Sequence, residues 1–308
     1  MTATAWEVAA GVLLDLALGD PQRMPHPVRA MGAWIAVQER WWRLQATSLR
    51  LAGVALWLGT VGASLVVVAF SLYLLPRPWI YIYWIYSLIA VRDLDQHAMQ
   101  VVFALEEGDL VRARQRLAWI VGRDTQDLKE SEVARAVIET VAENLSDGVV
   151  APLFYLALGG PLLMAAYKAV NTLDSMVGYK NERYRELGWF SARADDWANW
   201  LPARLTVILI AIIAALLPGC SARDALRIAW RDGASQPSPN AGYPEAAMAG
   251  ALGVRLGGEN FYGGVLSRKA YLGDPRKELN AETCRRTRPL LYGVALLATL
   301  LVCLVEGG

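Results

Sequence analysis

Acidic side chains spaced for one face of a helix occur in the segment 131–148. At roughly 100° per residue, Glu132, Glu139 and Glu143 fall within about 40° of one another, and Asp147 lies at the edge of that stripe. Carboxylate oxygens arranged in this way can bind Mg²⁺ or accept a proton. The solvated face of an amphipathic helix explains the same spacing, and the pattern alone favours it. An apolar segment follows immediately after these residues, and this location favours a functional site.

A second group of polar side chains occurs in the segment 165–184. A helix there places Lys168, Asn171, Ser175 and Tyr179 on one face, with Asp174 beside Asn171. Such groups at the border of an apolar segment are costly unless they are paired or functional. A membrane-edge lysine paired with an aspartate explains part of the group but not its variety. The pattern therefore favours a site slightly.

The segment 191–204 combines acidic, amide and guanidinium groups. Asp195 and Asn199 are one helical turn apart, with Asp196 adjacent, so that two oxygen ligands could reach one Mg²⁺. Arg193 and Arg204 could each bind a phosphate or carboxylate through two N–H groups. A helix start that carries acidic residues is the alternative, and the spacing leaves both interpretations open.

Two further segments are rich in turn-forming residues. Ser238, Asn240 and Gly242 precede a predicted helix of small residues, whose first N–H groups could bind an anion. An ordinary junction between a loop and a helix is an equal alternative. Near the start of the chain, His26 stands between two prolines and shortly before Arg29. A single histidine of this kind is more often structural than functional.

The elements that must position these residues are mostly apolar helices. The 308 residues include only 19% charged residues and 12 Trp, with a mean hydropathy of +0.28. The segment 51–75 has no charged residue and exceeds the ~20 apolar residues that cross a bilayer. Membrane spans are predicted near 51–75, 79–95, 149–170, 203–218 and 289–305, the third of them broken at Gly159, Gly160 and Pro161. Polar insertions are predicted at 92–147 and 219–288.

These patterns predict the fold class and the orientation. We predict one all-α, polytopic helical membrane domain over 1–308, with amphipathic helices and polar loops that form a cavity at the membrane edge. Cations before the first and last spans place both flanks in the cytoplasm by the positive-inside rule. They are Arg23, Arg29, Arg40, Arg43, Arg50, Arg285, Arg286 and Arg288. In the cell membrane, the N-terminus is then cytoplasmic and the C-terminus outside.

Several common kinds of site are missing from the sequence. It contains no GxxxxGK[ST], GxGxxG, HExxH or GxSxG motif, which disfavours the usual nucleotide loops and nucleophiles. The 30 Lys and Arg balance 29 Asp and Glu, so that no uniform positive field favours nucleic acid. Three separated cysteines and two histidines argue against a zinc site or a disulfide framework.

Taken in order, these segments resemble the adenosylcobinamide-phosphate synthase family of cobalamin biosynthesis, the membrane proteins CbiB or CobD. The matching blocks are LDLALGDP, PHPVRAMG, IVGRDT, EVARAVIETVAENLSDGVVAPLFY, AYKAVNTLDSMVGYKNERY, SARADDWANWLPARLT, SPNAGYPEAAMAGALGVRLGG and YLGDP. They cover nearly the whole chain, except the hairpin 40–92 and the last span. One departure is Gln236, where the family often has histidine. A histidine base at that position is therefore not essential to this protein.

The resemblance implies ATP- and Mg²⁺-dependent formation of an amide. The free propionate of adenosylcobyric acid, a corrinoid, is joined to aminopropanol or its phosphate, giving adenosylcobinamide or its phosphate. Because a carboxylate is a poor electrophile, ATP must first convert it to an acyl phosphate or a similar mixed anhydride.

The resemblance also suggests roles for the candidate residues. The expected catalytic residues are Lys168, Asp174, Glu139 and Glu143. Magnesium is assigned either to Asp195, Asp196 and Asn199 or to Glu139, Glu143 and Asp147. The expected substrate contacts are His26, Arg29, Asn144, Asn171, Ser175, Tyr179, Arg193, Arg204, Ser238, Asn240, Gly242 and Glu245. Phosphates are expected at Lys168, Arg193, Arg204 and the turn 238–242.

Two other functions compete with this interpretation. A prenyl-type transferase in the membrane would also bind magnesium, and Asn171 and Asp174 resemble part of its motif, but the repeated aspartates are missing. A transporter would use the broken span, but no partner segment suggests an inverted repeat. For the amide synthase we expect the polar patches to gather around a single pocket at the inner boundary of the bilayer.

Overall fold

The structure is a computed structural model that describes residues 2–21 and 26–307. Its helices in chain order are α1 (Ala5–Leu18), α2 (Pro27–Gln45), α3 (Leu49–Leu74), α4 (Trp79–Leu88), α5 (Val91–Glu106), α6 (Leu110–Leu117), α7 (Glu130–Leu145), α8 (Ala151–Val177), α9 (Trp189–Ala198), α10 (Trp200–Leu216), α11 (Ala222–Asp232), α12 (Gly242–Leu252), α13 (Ala281–Arg285) and α14 (Thr287–Gly307). Two strands, β1 (Leu256–Tyr262) and β2 (Val265–Leu272), lie between α12 and α13. The predicted all-α class is confirmed, with one small sheet in addition.

Several helices have the length and composition of membrane spans. Among residues 2–21 and 26–307, three stretches qualify: Leu49–Leu74, Glu130–Val177 and Ala281–Gly307. The pair Trp189–Ala198 and Trp200–Leu216, bent by 43°, adds a fourth if it is counted as one span. Four of the five predicted spans coincide with these helices. The protein is therefore a polytopic helical membrane protein.

The helix predicted over 79–95 is shorter than expected. α4 ends at Leu88, and Ile89 has an extended backbone before α5 begins at Val91. Ten helical residues cover about 15 Å, half of the hydrocarbon core. Most side chains of α4 are buried in the protein, including Trp84 and Ile85. The structure therefore ends this helix earlier than the predicted 79–95, at a place where no glycine or proline marks an end. Its crossing of the membrane stays a prediction.

The predicted single domain divides into two compact units, which are described separately. Unit 1 comprises Met1–Ala90, Ala151–Asn199 and Thr299–Gly308. In it, α3 packs against α2, α8 and α9. The close approach depends on Gly53, where a Cβ atom would overlap the carbonyl oxygen of Leu187. The predicted break in α8 is confirmed, because Gly159 and Gly160 leave helical geometry immediately before Pro161.

Unit 2 comprises Val91–Val150 and Trp200–Ala298. In it, α11 packs directly against α12, since a Cβ atom at Gly250 would overlap the backbone of Asp224. One turn of π-helix, Ser146–Val150, follows α7. Such turns are rare and often lie at functional sites.

A β-hairpin in unit 2 was not predicted. β1 and β2 are antiparallel, and Tyr262 pairs with Val265 across the turn. Gly263 and Gly264 form that turn with φ of 57° and 77°, values that glycine adopts readily in a two-residue hairpin turn. The signal was present in the sequence, since two glycines between β-forming residues are typical of a hairpin. The hairpin therefore adds an element that was not predicted for the polar insertion 219–288.

Candidate functional site

Polar side chains of unit 1 meet around one carboxylate. We name the group Tyr167, Asn171, Asp174, Asp195 and Asn199 the Asp195 cluster. Asn199 donates from Nδ2 to Oδ2 of Asp195 at 3.0 Å, and Asn171 makes a longer contact of 3.5 Å to Oδ1. The hydroxyl of Tyr167 donates to Oδ1 of Asn199 at 2.9 Å. The structure thus brings together predicted residues of α8 and α9.

Aromatic packing fixes the position of this cluster. The ring of Tyr155 stacks on that of Tyr167, with centroids 4.9 Å apart. The hydroxyl of Tyr155 also donates to the carbonyl of Ala198 at 2.9 Å. The Asp195 carboxylate is therefore held by a scaffold of packed side chains, as a preorganised site requires.

The donor set of the Asp195 cluster suits Mg²⁺ held partly by a substrate. Asp174 lies close enough to Asp195 for the two charges to repel, and a bound cation would relieve that repulsion. Magnesium usually takes one or two protein carboxylates and completes its shell with phosphates and water. In the described part of the chain, no three His, Cys, Asp or Glu side chains form a metal cage. The amide oxygen of Asn199 accepts from Tyr167, and its predicted role as a ligand stays a prediction.

Five other predicted residues lie near the Asp195 cluster in sequence, and they differ from one another in solvent exposure. Lys168 and Asp196 are half-buried, whereas Ser175, Tyr179 and Arg193 are exposed. The Ser175 hydroxyl donates to the Asn171 carbonyl at 2.9 Å. Arg193 lies within electrostatic range of Asp196. Their predicted contacts with phosphate and substrate stay predictions.

A second set of charges, some of them buried, lies in unit 2. We name Arg123, Glu139, Glu143, Glu245 and Lys269 the Glu245 cluster. Arg123 pairs through Nη2 with Oε2 of Glu139 at 2.6 Å, and both side chains are almost fully buried. The other oxygen of Glu139 accepts the backbone N–H of Gly257 at 2.8 Å. Both oxygens of Glu139 are thus engaged in contacts that hold the structure together here, and its role as a base or metal ligand stays a prediction.

Glu245 has a different environment. Its side chain is 1% exposed, and its Oε2 atom has no hydrogen-bond partner. Burial raises the pKa of Glu245 to about 8, with the negative charges of Glu139 and Glu143 adding to the effect and Lys269 opposing it. A buried carboxyl group that titrates near neutral pH is suited to proton transfer.

Two members of the Glu245 cluster were missed by the sequence analysis. Burial lowers the pKa of Lys269, but the carboxylates, Glu245 first, raise it further, so that the net shift is upward. Arg123 also donates to Oδ1 of Asn260 at 2.7 Å. Arg123 lies in the block IVGRDT, which was used only for the resemblance. No local signal marked Lys269, because it reaches the cluster from β2.

Arg204 and the turn 238–242 come together in unit 2. Arg204 donates from Nη1 to Oδ1 of Asn240 at 2.8 Å, and its guanidinium lies 4.1 Å from the ring centroid of Tyr243. The Ser238 hydroxyl accepts the backbone N–H of Asn240 at 3.3 Å. Gly242 is the first residue of α12. The predicted juxtaposition is present, although Arg204 is used to fix the turn.

His26 and Arg29 also lie in unit 1. Both line an apolar cavity of about 790 Å³ between α2, α3 and α4. His26 lies 3.2 Å from a carboxylate oxygen of Asp20, and Arg29 donates to the carbonyl of Pro21 at 3.0 Å. Their predicted contact with substrate stays a prediction.

The remaining predicted residues lie at the end of α7. Glu143 and Asn144 are exposed, and the amide of Asn144 donates to the carbonyl of Thr140 at 3.0 Å. Asp147 lies in the π turn. Gln236, the position of the departure from the family pattern, is buried and donates to the carbonyl of Ala270 at 3.0 Å. The predicted residues are thus distributed over several groups in the two units, and their gathering in a single pocket stays a prediction.

Comparison with known proteins identifies the family. The family described as CobD/Cbib protein matches residues 8–291. The Cobalamin biosynthesis protein CobD of Yersinia enterocolitica is 49% identical, over 99% of this chain and 98% of its own. The protein of the same name from Geobacter metallireducens is also 49% identical, with the same coverage. The Cobalamin biosynthesis protein CbiB of Salmonella typhimurium is 44% identical, over 100% of this chain and 98% of its own. No solved structure matches. The chain therefore belongs to the CobD/Cbib protein family.

Proposed function

We propose that this protein acts in cobalamin biosynthesis, in the cell membrane, as an ATP- and Mg²⁺-dependent amide synthase. It joins the free propionate of adenosylcobyric acid to aminopropanol or its phosphate, giving adenosylcobinamide or its phosphate. The observation that carries the proposal is the similarity, almost from end to end, to relatives named for cobalamin biosynthesis. This similarity also favours an amide synthase over a prenyl-type transferase or a transporter.

The reaction needs activation of an acid and removal of a proton. When bound, ATP supplies the phosphoryl group that turns the propionate into an acyl phosphate, with release of ADP. The amine nitrogen then forms a bond with the carbonyl carbon, phosphate leaves with its bridging oxygen, and the proton lost from nitrogen passes to a base. The protein must therefore offset phosphate charge, orient the amine and accept that proton.

The Asp195 cluster would offset phosphate charge. Asp195 and Asp174 would hold Mg²⁺, which supplies positive charge against the phosphate oxygens. Asn171 and Asn199 orient the Asp195 carboxylate through their amide N–H groups. Lys168, half-buried on the same helix as Asp174, would contact a phosphate. The roles of Asp196 and Arg193 as further contacts belong to the same proposal.

The Glu245 cluster would accept the proton that the amine loses. With a pKa of about 8, Glu245 is ionised in a sizeable fraction of molecules near neutral pH and can accept a proton from an ammonium group. Lys269 stabilises the ionised form of Glu245. Glu143 is the second carboxylate near this pair. Arg123 and Glu139 fix the position of the cluster through their buried ion pair.

A direct assay tests the proposal. We would incubate the purified protein in detergent with ATP, Mg²⁺, adenosylcobyric acid and aminopropanol phosphate, and then detect the amide and ADP by mass spectrometry. Asp195→Asn, which removes one charge at constant size, should lower kcat at least about a hundredfold. Glu245→Gln should lower it by a similar factor through loss of the base.

Controls separate chemistry from folding. Glu182→Gln removes an exposed carboxylate of the same unit as Asp195 and should leave kcat unchanged. Thermal unfolding of each variant shows whether it is folded. The proposal is wrong if the wild-type protein forms no amide from these substrates. Full turnover by a folded Asp195→Asn variant would remove this residue from the site.

A further inference from the structure

A polar cavity in unit 2 contains none of the residues predicted for the site. Its volume is about 640 Å³, and it lies between the start of α7, the strand β1 and the segment 275–279. Arg135, Arg255, Tyr271, Arg276 and Lys277 are among the residues that line it. Small-molecule sites commonly have volumes of about 300–1,000 Å³. We name it the Arg135 cavity.

Arg135 is a buried cation bonded only to neutral oxygens. It is 6% exposed and donates to the carbonyls of Gly257 and Glu259 and to Oδ1 of Asn260. In the described part of the chain, no carboxylate lies within ion-pair distance of it, and its Nε is buried without a hydrogen-bond partner. A buried charge that is not compensated is costly. An anion in the cavity would compensate it.

Two exposed cations stand at the same cavity. The guanidinium of Arg255 lies 4.5 Å from the ring centroid of Tyr271, and no ion pair of the described residues includes it. The ammonium of Lys277 donates to the carbonyl of Gly219 at 2.8 Å, a neutral acceptor. Arg276 contributes less, because it pairs with Asp224 at 2.7 Å. The cavity is therefore lined by cationic groups from α7, from the residue before β1 and from the segment 275–279.

Three carboxylates also line the cavity, and among the described residues none of them forms an ion pair with Arg135, Arg255 or Lys277. Glu132 accepts the backbone N–H of Lys129 at 2.7 Å. Glu259 pairs with Arg268 at 3.0 Å. Glu278 is exposed on the segment that lines the cavity. Two of the three carboxylates are thus engaged with groups other than the cavity cations.

The shape of the wall depends on glycine. Gly257 and Gly258 have φ of 81° and 92°, where the pairing of β1 with β2 shifts register. A Cβ atom at Gly258 would lie 2.8 Å from the ring of Tyr271 and 3.3 Å from Nη1 of Arg135. The backbone thus comes close to both side chains, and any larger residue would displace them.

We propose that the Arg135 cavity binds a small anion that carries a phosphate group. Arginine and lysine bind phosphate oxygens through charge-assisted hydrogen bonds. The Arg255 and Tyr271 pair adds a flat face beside these charges. Two sources share this chemistry, a nucleotide and a phosphorylated amino alcohol, and the experiment below distinguishes them. The anion site is argued from the cavity alone, whereas the phosphorylated amino alcohol as its source rests on the proposed function.

The test measures protection of Arg255 from chemical modification. We would treat the purified full-length protein in detergent with phenylglyoxal, which modifies accessible arginines, and quantify each site by mass spectrometry. The probes are inorganic phosphate, ATP without added metal, and aminopropanol phosphate. At saturation a bound probe should slow modification of Arg255 severalfold, because a guanidinium that binds an anion is covered and is not free to react. Arg223, exposed and outside the cavity, is the internal control and should react unchanged.

Variants show whether the protection comes from this cavity. Lys277→Gln, at an exposed position, should raise the probe concentration for half-protection about fivefold. Arg135→Gln should raise it at least about tenfold; if this variant does not fold, Lys277→Gln still decides. Asp195→Asn should leave the protection unchanged. The compound that protects at the lowest concentration identifies the source of the phosphate.

Two outcomes overturn the proposal. One is that none of the three probes protects Arg255 in the wild-type protein. The other is that protection is the same in Lys277→Gln as in the wild type. Loss of amide formation in Asp195→Asn with protection intact would separate this cavity from the proposed active site. Absence of amide formation in the wild type, with Arg255 protected, would overturn the proposed function and leave this proposal standing.

Discussion

The carboxylate of Glu139 accepts a hydrogen bond from the backbone N–H of Gly257 at 2.8 Å. This contact joins α7 to β1 across 118 positions of the chain. The geometry requires glycine, because φ at residue 257 is 81° and a Cβ atom there would overlap the carbonyl oxygen of Ala270. The same carboxylate binds Arg123. One side chain therefore positions both the hairpin and a buried cation.

Removing Arg123 should destabilise the protein strongly. Arg123→Met leaves the Glu139 carboxylate buried without its ion-pair partner, which typically costs about 3–5 kcal/mol. The double variant Arg123→Met/Glu139→Gln should recover part of this loss, since no unpaired charge then remains. Thermal unfolding in detergent measures both. The exposed pair Arg112 and Glu107 is the control, and Arg112→Met should cost less than about 1 kcal/mol. Equal losses at the two pairs would contradict this prediction.

Gly250 should not tolerate alanine. Its hydrogen atoms face the backbone of α11 at Asp224, where a Cβ atom would overlap. Forcing α11 and α12 apart should cost about 1–3 kcal/mol, measured as a lower thermal midpoint. Gly62→Ala in α3 is the matched control, because nothing lies within 4 Å of a Cβ atom there. That change should be neutral or stabilising by up to about 1 kcal/mol. A Gly250→Ala variant as stable as Gly62→Ala would refute the close packing.

Hydropathy and helix breakers predicted most of the membrane helices, because both act locally. The 26 residues of α3 and the break at Gly159 and Gly160 follow from sequence alone. The end of α4 could not be predicted, since Ile89 and Ala90 continue an apolar run without a helix breaker. The helix ends there because of tertiary packing around α4, which the local sequence does not indicate.

The candidate site was predicted only where its residues share a helix. Asn171 and Asp174, or Asp195 and Asn199, lie within one or two turns, and helical spacing brought them together. Lys269 lies on β2 and is remote in sequence from the other members of the Glu245 cluster. Helical periodicity relates only residues of one helix, so it could not predict this contact. The same reason explains why Arg135 was not recognised as a cavity residue.

Stability should depend on pH through Glu245. Its pKa is raised from 4.5 in the unfolded chain to about 8 in the folded protein, so that folding favours the protonated form. Its contribution to stability is therefore full below about pH 4.5 and is lost as the pH rises through 8. Between these limits the wild type should lose stability relative to Glu245→Gln, by at most about 1.4 kcal/mol for each pH unit.

Thermal midpoints of the two proteins at pH 5.5, 7 and 9 measure this difference. The midpoint of the wild type should fall further than that of Glu245→Gln as the pH rises. Glu182→Gln, at an exposed position, is the control and should follow the wild type. Parallel curves for the wild type and Glu245→Gln would show that Glu245 does not titrate in this range.

The C-terminus should lie on the outer side of the membrane. Arg285 and Arg286 precede α14, whereas only Glu306 is charged beyond Val305, so the positive-inside rule places the start of α14 in the cytoplasm. A cytoplasmic N-terminus then requires an odd number of crossings. Among residues 2–21 and 26–307, helix length and composition give four when the bent pair is counted as one span. We predict that the short α4 completes a fifth.

Protease access to terminal tags tests this topology. In intact spheroplasts, an externally added protease should remove a C-terminal tag and spare an N-terminal tag until the membrane is permeabilised. Arg285→Gln/Arg286→Gln, which removes two of the flanking cations, should weaken this preference, since each retained cation favours the cytoplasmic side. A substitution at an exposed position elsewhere, such as Arg112→Gln, should leave the orientation unchanged. Protection of both tags in intact spheroplasts would mean that α4 does not cross, and that its apolar side chains are buried by protein alone.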